Sequence, residues 1–165
     1  MNIVIFGCDN TGKSTLASQL VNYLNDGVDF TAESIHSLGP GKTVDEMLDF
    51  MDRNLAPKGS THTRIFDRFP IIEESIYGPL LRGENKFAGI ITKKILDQVD
   101  LFVYCYPGLF TTLNWGDREQ MEGVKDKALD IIAGYNRLAV KLKLAGYNVR
   151  EYNFRCDDFR RLLDE

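Results

Sequence analysis

Residues 7–15 read Gly-Cys-Asp-Asn-Thr-Gly-Lys-Ser-Thr, directly after the short apolar run Asn2–Phe6. This is a full G-x-x-x-x-G-K-[ST] pattern, and nothing else in the chain constrains the fold as much. It demands a strand before it and a helix after it, because the loop works only when both are in place. Gly7 and Gly12 permit tight backbone geometry, so the N–H groups from Asp9 through Thr15 turn inward and form an anion-sized cradle. Lys13 adds a point charge, Ser14 offers a hydroxyl to a divalent cation, and the helix that begins here adds its dipole.

The surrounding pattern meets the demand. Asn2–Phe6 is rich in β-branched residues and reads as a buried parallel strand. After it, Leu16, Leu20, Val21 and Leu24 fall on one helical face. Further strands are expected at 30–36, 63–67, 101–105 and 149–154, and helices at 44–55, from Pro70, from Arg118 to Leu144 and at 159–163. Alternating strands and helices predict an α/β fold of three layers, a five-stranded parallel sheet flanked by helices, with ligands beyond the carboxyl ends of the strands. At 165 residues the chain is expected to form one domain, carrying a short lid over about 107–123.

Composition narrows the partners. Twenty Lys+Arg against 24 Asp+Glu give a net charge of -4, which disfavours a nucleic-acid acceptor gripped through its backbone. It leaves room for a local pocket around one small phosphate ligand. Cys8, Cys105 and Cys156 lie far apart and form no metal spacing, so they read as reduced thiols. No signal segment and no membrane span is visible, and a cytoplasmic location is expected.

The cradle implies ATP with Mg²⁺, and the motifs around it choose among the uses of such a loop. The guanine-reading NKxD is lacking, and no DxxG switch follows the loop. Instead the third strand ends in Asp67-Arg68-Phe69-Pro70. A carboxylate at that strand tip either holds Mg²⁺ with Ser14, accepts a proton from a hydroxyl, or merely caps the next helix. The adjacent guanidinium either grips a phosphate or forms a surface ion pair.

With these two motifs the chain resembles the thymidylate kinase family of nucleotide kinases. Its loop is similar to the family's G-x-D-G-x-G-K-[ST]-T, with Asp9 on the acidic position that faces the acceptor's sugar. Asp67-Arg68-Phe69 resembles the family's DR-aromatic motif, whose arginine contacts the acceptor phosphate. The resemblance implies phosphoryl transfer from ATP to a nucleoside 5′-monophosphate, a deoxynucleotide such as dTMP, and pairing of two copies through helices beside the second and third strands. A hydroxyl of a nucleoside, of a modified base in DNA or of a polynucleotide end is the alternative acceptor, and a nucleotide-binding module without turnover is the alternative class.

The chain also departs from the family. Where an Arg-Glu-Pro-Gly-Gly run is usual, it reads Ile35-His36-Ser37-Leu38-Gly39-Pro40-Gly41-Lys42, so Lys42 or His36 is the candidate replacement for the arginine. Phe50 and Arg53 lie three apart where the family's base-reading Phe and Arg lie a turn apart; core packing and a solvated guanidinium are the competing readings. Tyr77 sits one residue late for the family's Ala-Tyr-Gln. Arg82 is either an acceptor contact or a helix C-terminal charge. Since 8–11 hold no arginine, Arg118 in the expected lid is the candidate for the transferring phosphoryl group, against simple helix decoration. Arg155 falls where such folds stack the adenine of ATP.

Overall fold

The computed structural model describes residues 1–27, 31–39, 41–87, 89–107 and 126–164. Five strands form one sheet: β1 (Asn2–Phe6), β2 (Thr31–His36), β3 (His62–Asp67), β4 (Leu101–Cys105) and β5 (Val149–Tyr152). All pair in parallel, in the order β2-β3-β1-β4-β5. The described helices are α1 (Lys13–Asn25), α2 (Val44–Asn54), α3 (Pro70–Tyr77), α4 (Gly89–Leu96) and α5 (Ala128–Leu144). A π-helical turn, Gly78–Arg82, extends α3, and a 3₁₀ turn, Phe159–Leu162, closes the described chain. The expected three-layer α/β sheet is what the structure shows.

Alternation along β1 makes the three layers. Val4 and Phe6 point to one side and join Met47 and Met51 of α2, Ile71, Ile72 and Ile76 of α3, and Ile131, Tyr135 and Leu142 of α5. Ile3 and Ile5 point to the other side and meet Leu16, Ala17 and Leu20 of α1 with Leu162 of the last turn. All five residues of β1 and all five of β4 are buried, which explains why both read as continuous apolar runs. Each such buried aliphatic or aromatic side chain contributes about 1.5–3 kcal/mol. The expected element bounds hold within two residues, apart from the α5 region, where 118–125 lie outside the described residues. The link between β3 and β4 also carries α4, for which the sequence reading had no expectation. No helix among the described residues is long and apolar enough to cross a membrane.

Strand order positions the site. β1 lies between β3 and β4, so the chain leaves the sheet in opposite directions on its two sides and opens a crevice above its carboxyl end. The glycine-rich loop sits there. The tip of β3 lies beside it, with Asp67 in register with Ile5 and His36 in register with Asp67.

Candidate active site

The loop after β1 opens into a helix that lacks a side-chain cap. Gly12 stands at the N-cap of α1 with φ 77°, and no side chain accepts from the first N–H groups. Those donors, the helix dipole and Lys13 make an anion site of the kind a phosphate completes. A Cβ on Gly12 would come 2.9 Å from Cβ of Phe154, so the aromatic ring after β5 is packed tightly onto the cradle. Phe154 and Tyr152 line a cleft of about 530 Å³ together with Asp9, Asn10, Thr11, Gly12, Lys13, Ser14, Thr15, Gln19 and Arg68. The Arg155 guanidinium lies 5.7 Å from the Phe154 ring centroid, and Arg155 is not itself among the residues lining this cleft.

Lys13 is only 5% exposed, and its ammonium donates to the carbonyl of Cys8. Burial, and then the nearby Arg68 charge, push its pKa below the ordinary lysine value. The same carbonyl accepts from the Thr11 hydroxyl at 2.8 Å. Burial also pushes the Cys8 thiol up to about 11, so this cysteine is an inert part of the loop wall.

Ser14 and Asp67 are joined directly: Ser14 Oγ donates to Asp67 Oδ2 at 2.5 Å. Asp67 Oδ1 is buried without a hydrogen-bond partner. A buried carboxylate oxygen left unpaired beside a hydroxyl fits a hard cation, which takes oxygen ligands. Magnesium is usually held by one or two such groups plus the phosphates of its nucleotide, so this pair suffices. The helix-cap reading of Asp67 does not apply, because Phe69 is the N-cap of α3 and no side chain caps it.

Arg68 is the most constrained side chain in the site. Asn10 and Arg68 are the non-glycine residues with left-handed backbone among the described residues, at φ 61° and 73°, and both belong here. The Arg68 guanidinium donates to Asp9 and, at 3.3 Å, to Glu73 Oε2. Glu73 is largely buried, with 15% of its side chain exposed, and it also accepts from the hydroxyl of fully buried Tyr135 at 2.9 Å. Burial raises the Glu73 pKa, against the pull of Arg68, Lys13 and Tyr135. Burial likewise works against the Arg68 charge, yet Glu73 and Asp9 more than offset it and hold the guanidinium above its ordinary value. This arginine is a clamped cation, not a surface ion pair.

A second cleft of about 500 Å³ opens on the other side of Arg68. It is lined by Asp9, His36, Lys42, Asp67, Arg68, Glu73, Glu74, Tyr77 and Arg82, with Leu38, Met47 and Leu81 supplying apolar wall. Asp9 and Arg68 line both clefts. The start of α2 is fixed by a capping box between Thr43 and Glu46, which sets Lys42 at the cleft edge.

Known structures share this architecture, although no protein-family model and no curated protein matches the sequence. The Bacillus subtilis YorR protein, solved in complex with phosphorylated GDP, superposes with a TM-score of 0.69 at 17% identity, over 97% of this chain and 90% of that one. Deoxyadenosine kinase from M. mycoides with bound dATP gives 0.59 at 15% identity, over 99% and 96%. Thymidylate kinase from Ehrlichia chaffeensis gives 0.55 at 17% identity, over 98% and 93%. The fold is the one that these three solved structures share.

Within this fold, most of the expected site residues converge. Lys13, Ser14, Asp67 and Arg68 meet at the junction, and His36, Lys42, Tyr77 and Arg82 line the second cleft. Phe50 and Arg53 are not brought to either cleft. Phe50 packs against the core, and Arg53 is 70% exposed and pairs with Asp49 on its own helix. The expected lid lies outside the described residues from 108 onward, and Arg118 with it. Sequence reasoning missed Glu73, Glu74, Tyr135 and Phe154. Two acids beside Ile71, Ile72, Ile76 and Tyr77, all buried on α3, were a usable signal, since a buried carboxylate requires a partner. Tyr135 carried none, because its role depends on α5 packing across the sheet.

Proposed function

We propose that the protein transfers the γ-phosphoryl group of ATP to a nucleoside 5′-monophosphate, a deoxynucleotide such as dTMP. The observation that carries this reading is the position of Asp9 and Arg68, which line a phosphate-cradle cleft and a second nucleotide-sized cleft at once. Donor and acceptor phosphates laid in the two clefts meet at the clamped guanidinium. In-line transfer then needs positioning and charge stabilisation rather than covalent chemistry. The α1 N–H groups and Lys13 hold the donor phosphates, Arg68 orients the acceptor phosphate, and Phe154 with Arg155 offers the donor base a stacking face. Ser14 and Asp67 would hold Mg²⁺, which neutralises charge on the donor phosphates. Arg118 is assigned to the transferring group on the sequence argument alone.

The second cleft favours a phosphate acceptor over a hydroxyl. A hydroxyl requires a base, whereas a phosphate is already ionised at neutral pH. Three of the four carboxylates lining the cleft are held by arginines, Asp9 and Glu73 by Arg68 and Glu74 by Arg82, and the fourth, Asp67, bonds Ser14 through one oxygen and is assigned to Mg²⁺ through the other. Among the structural neighbours, the name thymidylate kinase supports a monophosphate acceptor, and deoxyadenosine kinase, named for a nucleoside, shares with it only the deoxyribose.

The test is ADP release from Mg·ATP with a panel of nucleosides, nucleoside monophosphates and 5′-hydroxyl oligonucleotides. Turnover with monophosphates is expected; turnover confined to oligonucleotides or nucleosides would overturn the reading. In the same assay Asp67→Asn should lower kcat by about 10²-fold or more and raise the Mg²⁺ concentration needed for half-maximal rate. An unchanged Mg²⁺ dependence would remove Asp67 from the metal site.

A further inference from the structure

The far wall of the second cleft holds a second arginine–carboxylate pair that the transfer chemistry does not use. Glu74 follows Glu73 on α3 and is nearly buried, with 9% of its side chain exposed. Its Oε1 accepts from Arg82 Nη2 at 2.6 Å and from the Lys86 backbone N–H at 3.1 Å, and its Oε2 accepts from Arg82 Nη2 at 2.5 Å. The chain is shaped to make this contact. The π-helical turn inserts an extra residue after α3, and such turns recur at functional sites. Gly78 opens the turn where a Cβ would come 2.7 Å from Glu74 Oε1 and 2.5 Å from the Glu84 carbonyl, so a side chain there would break the arrangement. The Lys86 ammonium then donates to the Lys42 carbonyl at 3.2 Å and ties this end of the cleft to the opposite wall.

We propose that Arg82, oriented by Glu74, reads the base of the acceptor and selects bases with a keto oxygen at purine C6 or pyrimidine C4, guanine or thymine, over adenine or cytosine, which carry an amino group there. The inference rests on the kinase reading above and adds the acceptor's base to it. Arg82 keeps 40% of its side chain exposed while Glu74 is covered, so the guanidinium is what a ligand meets. Guanidinium carries donors only, and three hydrogen bonds from the protein already engage the carboxylate behind it. The pair therefore offers donors to the ligand: a keto oxygen completes them, and an exocyclic amino group opposes them. Arg68 lines both clefts and serves the phosphate end, whereas Arg82 lines the second cleft alone, on the side left for the base. Tyr77 and Leu81 beside it supply the flat apolar wall that a ring needs. Glu74 acts through Arg82 and is a positioning residue.

The experiment compares the wild-type chain with Arg82→Gln and Glu74→Gln. Each is assayed for kcat/KM with Mg·ATP and dGMP, dTMP, dAMP or dCMP, and 2-deoxyribose 5-phosphate is measured as an inhibitor competitive with the acceptor. The wild type should prefer the better keto acceptor over both amino acceptors by about 10-fold or more, since a polar site rejects a ligand that leaves its groups unpaired. Arg82→Gln should lower kcat/KM for that keto acceptor by about 10–100-fold and level the base ratios. It should leave the KM for ATP and the inhibition by 2-deoxyribose 5-phosphate within about 2-fold. Glu74→Gln should move the same ratios in the same direction. Unchanged base ratios in Arg82→Gln, or a wild-type preference for amino bases, would overturn the proposal. Weakened binding of 2-deoxyribose 5-phosphate to the same extent would overturn it too, by making Arg82 a phosphate contact. A wild type with no turnover on any monophosphate would instead remove the kinase reading itself.

Discussion

Replacing Lys13 with methionine is expected to abolish turnover and to raise the melting temperature of the unliganded protein. Turnover should fall by about 10²–10³-fold or more, the usual loss when a charge-stabilising donor leaves a transferring group. The stability gain follows from burial. Lys13 is 5% exposed, and its charge is disfavoured by desolvation and by Arg68. Among the described residues its ammonium bonds the Cys8 carbonyl, which keeps the Thr11 hydroxyl as a donor when Lys13 is gone. Methionine has a similar length and no charge to desolvate. Each kcal/mol recovered should raise the melting temperature by about 2–4 °C in a chain of this size. The sign of the pH dependence follows. A lysine whose folded pKa is lowered destabilises the fold below that pKa, and the penalty disappears as pH rises toward its unfolded value of 10.5. The advantage of the Lys13→Met variant in thermal melts should therefore shrink as the pH is raised. A variant that melts lower than the wild type at neutral pH would contradict the buried, strained state of this lysine.

The second large effect is expected at Arg68. Arg68→Met should lower kcat/KM for the acceptor by about 10²–10³-fold and destabilise the protein by about 3 kcal/mol. The stability figure is at the low end for a broken buried pair because 34% of the Arg68 side chain is exposed. The cause is Glu73, left without its guanidinium. Burial already raises its pKa, and removal of Arg68 raises it further. A carboxyl with a raised folded pKa favours the fold at low pH, and that contribution is lost as pH rises through the raised value. The single variant should therefore unfold more readily as pH increases, more steeply than the wild type. Adding Glu73→Gln should recover most of the stability, since the amide oxygen still accepts from Tyr135, while activity stays lost. A double variant no more stable than Arg68→Met alone would show that the Glu73 charge is not what Arg68 compensates.

The parts of this architecture that are local in sequence are also the parts the sequence makes legible. The strand, loop and helix around Gly7–Thr15 form a contiguous unit whose glycine spacing and apolar face require one geometry. β1 and β4 are buried on both faces, so their continuous apolar runs identify them without reference to neighbours. Asp67 and Arg68 were legible because a strand tip ends at them. The clamp on Arg68 was not, because Asp9, Glu73 and Tyr135 come from three segments that only the fold brings together. Phe50 and Arg53 illustrate the opposite failure. They share the residue types of a base-reading pair, but the amphipathic pattern of α2 commits Phe50 to the core and leaves Arg53 in solvent. The π-helical turn that directs Arg82 back to Glu74 has no periodic signature at all, since it adds one residue to a helical repeat.

In the proposed reaction the two clefts that share Asp9 and Arg68 each hold a nucleotide, so one bisubstrate ligand should fill both. A dinucleotide in which adenosine and thymidine are joined through their 5′ positions by five phosphates should bind one per protein chain in calorimetry. It should be displaced both by excess ATP and by excess dTMP, and Arg68→Met should weaken it by at least about 10-fold. Binding that ATP displaces but no nucleoside monophosphate displaces would contradict the second cleft as an acceptor site, and with it the account of this protein as a nucleotide kinase.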